Sequence, residues 1–189
     1  MPSAVLFDRD GTLVEDVPYN GDPGRVRAMP AAREAVALLR GLGVPVAVVS
    51  NQSGVGRGLL TRPQVRAVAD RVDALLGPLG LWAVCPHRPD DGCGCRKPAP
   101  GLVLAACAAL GADPRRAVVI GDIGADAEAA RAAGAAAVLV PTAATRAEEV
   151  RAARHTAPDL LGAVRIALAL AREGAAGPAR VRHGGGGRW

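Results

Sequence analysis

Residues 4–13 have the sequence AVLFDRDGTL, an apolar run followed by two carboxylates and a turn signal. A short apolar run bounded in this way is typical of a buried strand in a parallel sheet. Ligands of open α/β sheets bind beyond the carboxyl ends of the strands, where Asp8 and Asp10 lie. Side chains two residues apart on an extended backbone point the same way. We therefore expect both carboxylates to reach one cation, because an unpaired carboxylate at a buried strand end is costly.

The composition indicates a globular protein with an unusual core. The chain has 189 residues, of which 50% are hydrophobic but only 2% aromatic, so we expect a core of alanine, valine and leucine. No apolar stretch approaches the length of a membrane span, and the sequence enters a strand directly from its N-terminus. We therefore predict a cytoplasmic protein with no membrane partner.

The basic residues allow two interpretations of the net charge of +5. A nucleic-acid partner is one alternative, but the arginines are scattered and are not interleaved with aromatic residues, so we favour a solvated surface and no nucleic acid. Lysine occurs once, at Lys97, and the other cationic side chains of this group are arginine. A compact ammonium differs from a planar guanidinium, so a lone lysine indicates a site that requires it, with chance as the alternative.

Strands alternate with helices along the chain. The strands after the first are predicted at 44–49, 81–84, 117–120 and 136–140. The helices are predicted at 31–40, 61–76, 101–110, 125–133, 146–154 and 158–173. This alternation predicts an α/β fold, a doubly wound, Rossmann-like parallel sheet of five or six strands with helices on both faces.

Two segments fall outside this alternation. Residues 15–29, rich in proline, glycine and aspartate, are too long for a simple turn and are predicted to form a loop or flap. Residues 174–189 are dominated by glycine and arginine, and we predict a disordered tail after a domain that spans residues 1–173.

Polar side chains follow four predicted strands, and a parallel sheet gathers such strand ends on one edge. They are Asp8 and Asp10, Ser50, Lys97, and Asp122 with Asp126. Carboxylates with few other donors suit Mg²⁺, which binds through a few carboxylates and a substrate phosphate. A hydroxyl and an ammonium suit the remaining phosphate oxygens. A carboxylate can also act as a nucleophile, which divides the very slow hydrolysis of a phosphate monoester into two steps.

This order of residues resembles the four motifs of the haloacid dehalogenase-like (HAD) phosphohydrolases, over residues 5–140. The resemblance implies that Asp8 is the nucleophile. It implies that Asp10 protonates the leaving alkoxide and then deprotonates the attacking water, while Ser50 and Lys97 bind the phosphate.

The same resemblance implies a catalytic Mg²⁺ site formed by Asp8, Asp10 and Asp122. Asp126 is expected to support this site without binding the ion itself. Taken singly, each of these residues has an ordinary explanation, such as an aspartate in a turn or at a helix N-cap, and the joint pattern carries the prediction.

A second cluster lies in the loop at residues 85–95. Its members are Cys85, His87, Cys93 and Cys95. Three cysteines and one histidine form the donor set of a closed, structural zinc site. In a cytoplasmic protein a metal is favoured over a disulfide, and reduced free thiols are the alternative. We expect Zn²⁺ to stiffen this loop and to fix Arg96 and Lys97 over the phosphate, and we expect Cys107, the fourth cysteine, in the core.

The zinc loop narrows the resemblance to the D-glycero-D-manno-heptose 1,7-bisphosphate 7-phosphatases and the related histidinol-phosphate phosphatases. The sequence NQSGVGRG at residues 51–58 and the chain without a large cap domain favour the heptose enzymes. The resemblance implies that Asp16, Tyr19, Asn51, Gln52, Ser53 and Arg96 contact substrate. Arg96 is the natural cation for a second phosphate, and Arg57 is a weaker candidate.

The sequence departs from this subgroup at Ile123, where a lysine often follows the aspartate of the fourth motif. The exact sugar phosphate and its anomer therefore stay open. We predict a monomeric, Mg²⁺-dependent phosphatase acting on a small sugar bisphosphate, the 7-phosphate of the heptose being removed. The alternatives are a histidinol-phosphate phosphatase, another small sugar-phosphate phosphatase, or a zinc-stabilised binding module without catalysis.

Overall fold

The computed structural model describes residues 1–173, in which five strands alternate with six helices. The strands are β1 (Ala4–Phe7), β2 (Val46–Asn51), β3 (Leu81–Cys85), β4 (Ala117–Gly121) and β5 (Ala136–Leu139). The helices are α1 (Ala32–Gly41), α2 (Arg62–Leu76), α3 (Gly101–Ala109), α4 (Gly124–Ala133), α5 (Ala147–Ala152) and α6 (Leu160–Glu173). Three short 3-10 turns lie at Pro23–Arg25, Pro89–Asp91 and Pro114–Arg116. The predicted disordered tail, residues 174–189, lies outside the described residues.

All five strands pair in parallel in the order β3-β2-β1-β4-β5, which confirms the predicted doubly wound sheet. Strand β1 lies at the centre, with Val5 beside Val46 of β2 and Val118 of β4. The chain winds from β1 towards β3 and then returns to the other side through β4. Such a reversal opens a crevice at the carboxyl ends of the central strands.

Local signals account for the ends of several helices. Thr61 and Gln64 form a capping box at the start of α2, because each side chain binds the other residue's main-chain N–H. Gly134, with φ of 80°, ends α4 in the left-handed conformation that glycine adopts without strain.

The sheet is covered on both faces by small aliphatic side chains. Val5 and Phe7 face the cluster formed with α1, α2 and α6, whereas Ala4 and Leu6 face α3 and α4. This alternation follows from the strand period of two residues. Both faces of β1 are therefore buried, and all four of its side chains are apolar. The two clusters consist mainly of alanine, valine and leucine, as the composition predicts.

The flap returns to the point from which it leaves the sheet. Val14 forms an antiparallel bridge with Ala28, and Met29 donates its main-chain N–H to the carbonyl of Leu13. The residues between these contacts therefore project from the carboxyl edge of β1.

None of the helices in residues 1–173 has the length and apolarity that a membrane crossing requires.

Candidate active site

Lys97 lies between two carboxylates at the carboxyl edge of the sheet. Its Nζ atom is 2.8 Å from Oδ1 of Asp8, which follows β1, and 2.6 Å from Oδ1 of Asp126, in the first turn of α4. The lysine is only 4% exposed, so this ion pairing takes place away from bulk water. The lone lysine of the sequence thus lies in the crevice between β1 and β4.

Negative charge dominates this cluster. Burial and the nearby charges of Asp8 and Asp126 raise the pKa of Asp122 to about 7. Burial likewise raises the pKa of Asp126 to about 6, although Lys97 opposes the shift. Burial alone would lower the pKa of Lys97, but the two carboxylates outweigh it and raise that pKa. The carboxylates therefore stabilise the charge of the Lys97 ammonium, but one ammonium does not balance all of their negative charge. A bound cation would relieve the remaining repulsion between the carboxylates.

The arrangement fits a divalent ion. Carboxylate oxygens of Asp8, Asp122 and Asp126 lie within 4.8 Å of one another, and hard cations prefer such oxygens. Both oxygens of Asp126 already have partners, Lys97 and the main-chain N–H of Ile123, which suits a supporting role. Gly11, at φ of 72°, is required beside this cluster because a Cβ atom there would overlap the carboxylate of Asp122.

Three threonines hold Asp122. Thr145 donates its hydroxyl to the Asp122 carbonyl at 2.6 Å, which fixes the main chain after β4. Thr12 and Thr142 lie at 3.5 and 3.4 Å from the two carboxylate oxygens. These longer contacts orient the carboxylate while leaving it weakly engaged, as a metal ligand requires.

Asp10 has a separate set of partners. Arg9 donates to both of its carboxylate oxygens, each at 2.9 Å, and Gln52 donates to one of them at 2.9 Å. Burial raises the pKa of Asp10, although the positive charge of Arg9 opposes the shift. The Asp10 carboxylate is not among the three that converge, so its part in metal binding stays a prediction. Ser50 is buried beside it and accepts a second hydrogen bond from Gln52 at 2.9 Å.

Asn51 holds the main chain of Lys97. Its amide donates to the Lys97 carbonyl at 3.0 Å and accepts from the Lys97 N–H at 3.1 Å. This two-bond contact resembles the pairing of neighbouring strands and joins the end of β2 to the loop that follows β3. The lysine is therefore fixed at its backbone by Asn51 and at its ammonium by Asp8 and Asp126.

The predicted zinc ligands also converge. The Cys85 Sγ atom lies 3.7 Å from Cys93 Sγ, 3.2 Å from Cys95 Sγ and 3.5 Å from His87 Nδ1. Cys95 Sγ lies 3.5 Å from Cys93 Sγ and 3.2 Å from His87 Nδ1. A tetrahedral zinc with bonds of about 2.3 Å separates its ligand atoms by about 3.8 Å, so the set fits this ion with a small expansion. The sulfur separations exclude a disulfide in this conformation.

A cavity of about 640 Å³ lies elsewhere, between α4, β5 and α5. Its lining includes Arg146, which pairs with Glu149 at 2.8 Å and lies 3.5 Å from Glu148. The cavity is separate from the converging carboxylates and Lys97, so its size does not make it the site of chemistry. The reactive groups lie at the carboxyl edge of the sheet.

Comparisons with known proteins agree with this arrangement. A HAD-hydrolase-like family model matches residues 94–163. A D-glycero-beta-D-manno-heptose-1,7-bisphosphate 7-phosphatase of Pseudomonas aeruginosa is 38% identical over 145 residues, covering 74% of this chain and 82% of that protein. The protein of the same name from Bordetella bronchiseptica is 34% identical over 143 residues, covering 73% and 80%. This chain belongs to the heptose-bisphosphate phosphatase family of HAD-like hydrolases.

A solved member of the family has the same architecture. The crystal structure of the B. bronchiseptica D,D-heptose 1,7-bisphosphate phosphatase, complexed with magnesium and phosphate, superposes with a TM-score of 0.76 at 28% identity. The match covers 90% of this chain and 99% of that chain. The HAD-like fold with no large cap domain, predicted from the sequence, is thereby confirmed.

The residues predicted to contact substrate differ in their exposure and in their partners. Asp16 and Tyr19 are exposed on the flap, and Ser53 and Arg96 are half-buried. Asn51 and Gln52 are instead engaged with Lys97, Asp10 and Ser50. Arg96 lies between the zinc ligands and Lys97 in the sequence, and its guanidinium lies 3.5 Å from the carbonyl of His87.

Sequence reasoning missed Arg9, Thr142 and Thr145. Arg9 is 2% exposed, and its position between the two aspartates was the available signal. The two threonines follow β5, and their contacts with Asp122 join loops that are distant in the sequence. Nothing local marks them as part of the site.

Proposed function

We propose that this chain is a Mg²⁺-dependent phosphatase that removes the 7-phosphate of D-glycero-D-manno-heptose 1,7-bisphosphate. The observation that carries the proposal is the Lys97 ammonium held between Asp8 and Asp126 at the switch point of the sheet. The family membership supports the choice of substrate, since the relatives from P. aeruginosa and B. bronchiseptica have that activity in their names.

Asp8 acts as the nucleophile. Its carboxylate lies 2.8 Å from the Lys97 ammonium, and an aspartate carboxylate can form a covalent phosphoryl intermediate. An Asp8 oxygen bonds to phosphorus while the bond from phosphorus to the sugar oxygen breaks, giving an aspartyl-phosphate. Asp10 gives its proton to the departing alkoxide. Asp10 then takes a proton from water, which attacks the same phosphorus and releases inorganic phosphate and free Asp8.

The metal-binding residues are those predicted from the sequence, Asp8, Asp10 and Asp122, with Asp126 in support. When bound, Mg²⁺ offsets the repulsion between a carboxylate nucleophile and an anionic phosphate. Thr145 holds the main chain of Asp122, and Gly11 leaves room for its carboxylate. Asp126 keeps the Lys97 ammonium directed at Asp8. The Ser50 hydroxyl and the Lys97 ammonium bind the phosphate oxygens.

The substrate's sugar and second phosphate are bound from the rim of the crevice. Asp16, Tyr19 and Ser53 contact the sugar, and Arg96 binds the second phosphate as a two-pronged donor. Asn51 and Gln52 complete the set that the family resemblance implies. Because Ile123 replaces the lysine that is frequent in the subgroup, one cationic contact with the substrate is missing. The assay described below therefore uses both anomers of the heptose bisphosphate.

Cys85, His87, Cys93 and Cys95 hold a structural Zn²⁺. Four protein ligands leave no open position for chemistry, so this ion orders the loop that carries Arg96 and Lys97. Burial and the neighbouring thiols raise the pKa of Cys85 to about 12. A bound cation would favour the thiolate form that metal binding requires. Residues 1–173 act as one catalytic domain, in a monomer located in the cytoplasm.

A phosphate-release assay tests the function. The purified full chain is given the α and β anomers of the heptose bisphosphate and, in parallel, histidinol phosphate, each with and without Mg²⁺. We expect Mg²⁺-dependent release that is fastest with a heptose bisphosphate and stops after one phosphate. Faster hydrolysis of histidinol phosphate would select the alternative substrate, and no release from any of them would support a non-catalytic binding module.

A further inference from the structure

Gln52 joins the acid/base carboxylate to the phosphate-binding hydroxyl. Its Nε2 atom lies 2.9 Å from Oδ2 of Asp10 and 2.9 Å from Oγ of Ser50. An amide nitrogen has two hydrogens, and these two contacts use both of them. The side chain is 5% exposed, so water does not replace these bonds readily.

The chemistry of the partners fixes the direction of both hydrogen bonds. In this arrangement both Asp10 oxygens already accept from Arg9, so the Gln52 atom that faces Asp10 is the donating nitrogen. The same nitrogen can only donate to Ser50, so Ser50 Oγ is an acceptor in this contact. The hydrogen of the Ser50 hydroxyl is thereby left free to be donated to a phosphate oxygen.

The main chain of Gln52 is also held. Its N–H donates to the carbonyl of Cys85 at 2.7 Å, and its carbonyl accepts from the N–H of Val55 at 3.1 Å. Arg9 donates one hydrogen bond to each oxygen of the Asp10 carboxylate. Asp10 is therefore held by two side chains, one of which is anchored to the first ligand of the zinc loop.

We propose that Gln52 is a positioning residue that sets the orientation of Asp10 for proton transfer and of the Ser50 hydroxyl for phosphate binding. This role is distinct from the substrate contact that the family resemblance implies, and it rests on the proposed phosphatase function. A positioning role predicts two separate effects when the Gln52 amide is removed. A misplaced Asp10 slows the release of a poor leaving group, whereas a misoriented Ser50 weakens binding of any phosphate monoester.

Two nearly isosteric variants test this role. Gln52→Met preserves length and removes both donors, and Gln52→Glu places a carboxylate against Asp10. The matched control is Gln64→Glu, the same change on the exposed first turn of α2, where an acidic group is favourable. Each protein is assayed with the sugar bisphosphate and with p-nitrophenyl phosphate, whose leaving group departs as a stable anion without a proton.

The readout is the rate of alcohol release in a single turnover, with KM measured in parallel. For the sugar bisphosphate we expect a loss of about tenfold or more in both Gln52 variants, a fraction of the 10²–10⁴ that a general acid supplies. For p-nitrophenyl phosphate we expect a loss of less than about threefold, with KM raised for both substrates. Gln64→Glu is expected to match the unaltered chain.

Equal losses of rate with both substrates, or no loss with either, would overturn the positioning role. Melting temperatures identify a variant that has lost its fold, and the other variant then decides the outcome. An unaltered chain that hydrolyses neither substrate would overturn the proposed function itself, which is a different result from an active enzyme indifferent to Gln52.

Discussion

The two candidate metal clusters are built in different ways. The carboxylate cluster lies at the ends of β1 and β4, and Asp8, Asp122 and Asp126 are each less than a tenth exposed. The Cys₃His cluster extends from Cys85, the last residue of β3, into the loop before α3, where His87 is exposed. The first is positioned by hydrogen-bonded strands, whereas the second lies in a loop that, under the proposal of a structural zinc, a bound ion would hold. We therefore expect the sheet to position the reactive carboxylates and a metal ion in the Cys₃His cluster to order the loop that carries Lys97.

Lys97 is the residue at which the two clusters meet. Its ammonium belongs to the carboxylate cluster, whereas its main chain lies two residues beyond Cys95, the last thiol of the Cys₃His cluster. Damage to the zinc loop should therefore reach the reactive site through Lys97. Damage to the carboxylates should leave the thiol cluster intact.

The largest expected effect is that of Asp8→Asn on turnover. The variant keeps the shape of the side chain but loses the nucleophile, so we expect a fall in kcat of more than about a thousandfold. Zinc content should not fall, because the thiol cluster is untouched. The melting temperature should change little, because loss of the Asp8–Lys97 ion pair is offset by loss of the repulsion between Asp8 and Asp122. Turnover near the unaltered rate would contradict the assignment.

The next largest effect is that of Lys97→Met on stability. The change leaves buried carboxylates without their cation, and we expect the free energy of unfolding of the metal-free protein to fall by about 3–5 kcal/mol. Urea unfolding measures this difference. Arg66→Met is the control, since Arg66 pairs with Asp70 at 2.9 Å in full view of solvent and should cost less than about 1 kcal/mol. Equal costs would show that the buried pairing is unimportant.

Removal of one zinc ligand tests the other side of the comparison. In Cys95→Ser we expect zinc content to be lost and kcat to fall by about tenfold or more, because the mutation of groups that support an active site typically costs 10–100-fold. Metal analysis and the phosphate-release assay measure the two effects. Cys107→Ala, a buried thiol outside the cluster, should retain its zinc. Full activity in zinc-free Cys95→Ser would separate the loop from the site.

The smallest effect concerns Glu149, which joins α5 to the first turn of α4. Hydrogen bonds from the side chain and main chain of Arg146 lower its pKa from 4.5 to about 2. Its stabilisation is therefore present above pH 4.5 and is lost as the pH falls towards 2. We expect Glu149→Gln to lower the melting temperature by about 1–3 °C at pH 7. Below pH 4.5, the melting temperature of the variant should fall less steeply than that of the unaltered chain. Glu148→Gln, at a more exposed position, should have the unaltered pH profile.

Much of the fold was predictable because its signals are local. Apolar runs, the Thr61–Gln64 capping box and Gly134 mark elements within a few residues of their ends. The order of the strands is not marked in this way, since it depends on which buried faces pack together. The sequence predicts alternating strands and helices, whereas the central position of β1 emerges from the assembled sheet.

The site divides along the same line. Asp8, Ser50, Lys97 and Asp122 were predictable because each lies at or beyond the carboxyl end of a strand, and parallel strands end on one edge. The clamp of Asn51 on the Lys97 main chain, and the contacts of Thr145, were not. Those contacts connect loops far apart in the sequence, and a polar residue in a loop has the same local pattern whether or not it has such a partner.

The most direct test of the central claim is to identify the residue that becomes phosphorylated. An Asp10→Asn variant lacks the base of the second step, so it should retain the aspartyl-phosphate formed from p-nitrophenyl phosphate and Mg²⁺. Reduction with borohydride followed by peptide mass spectrometry locates the acyl phosphate as homoserine. We predict homoserine at position 8. Release of one equivalent of p-nitrophenol with an unmodified residue 8 would contradict the mechanism.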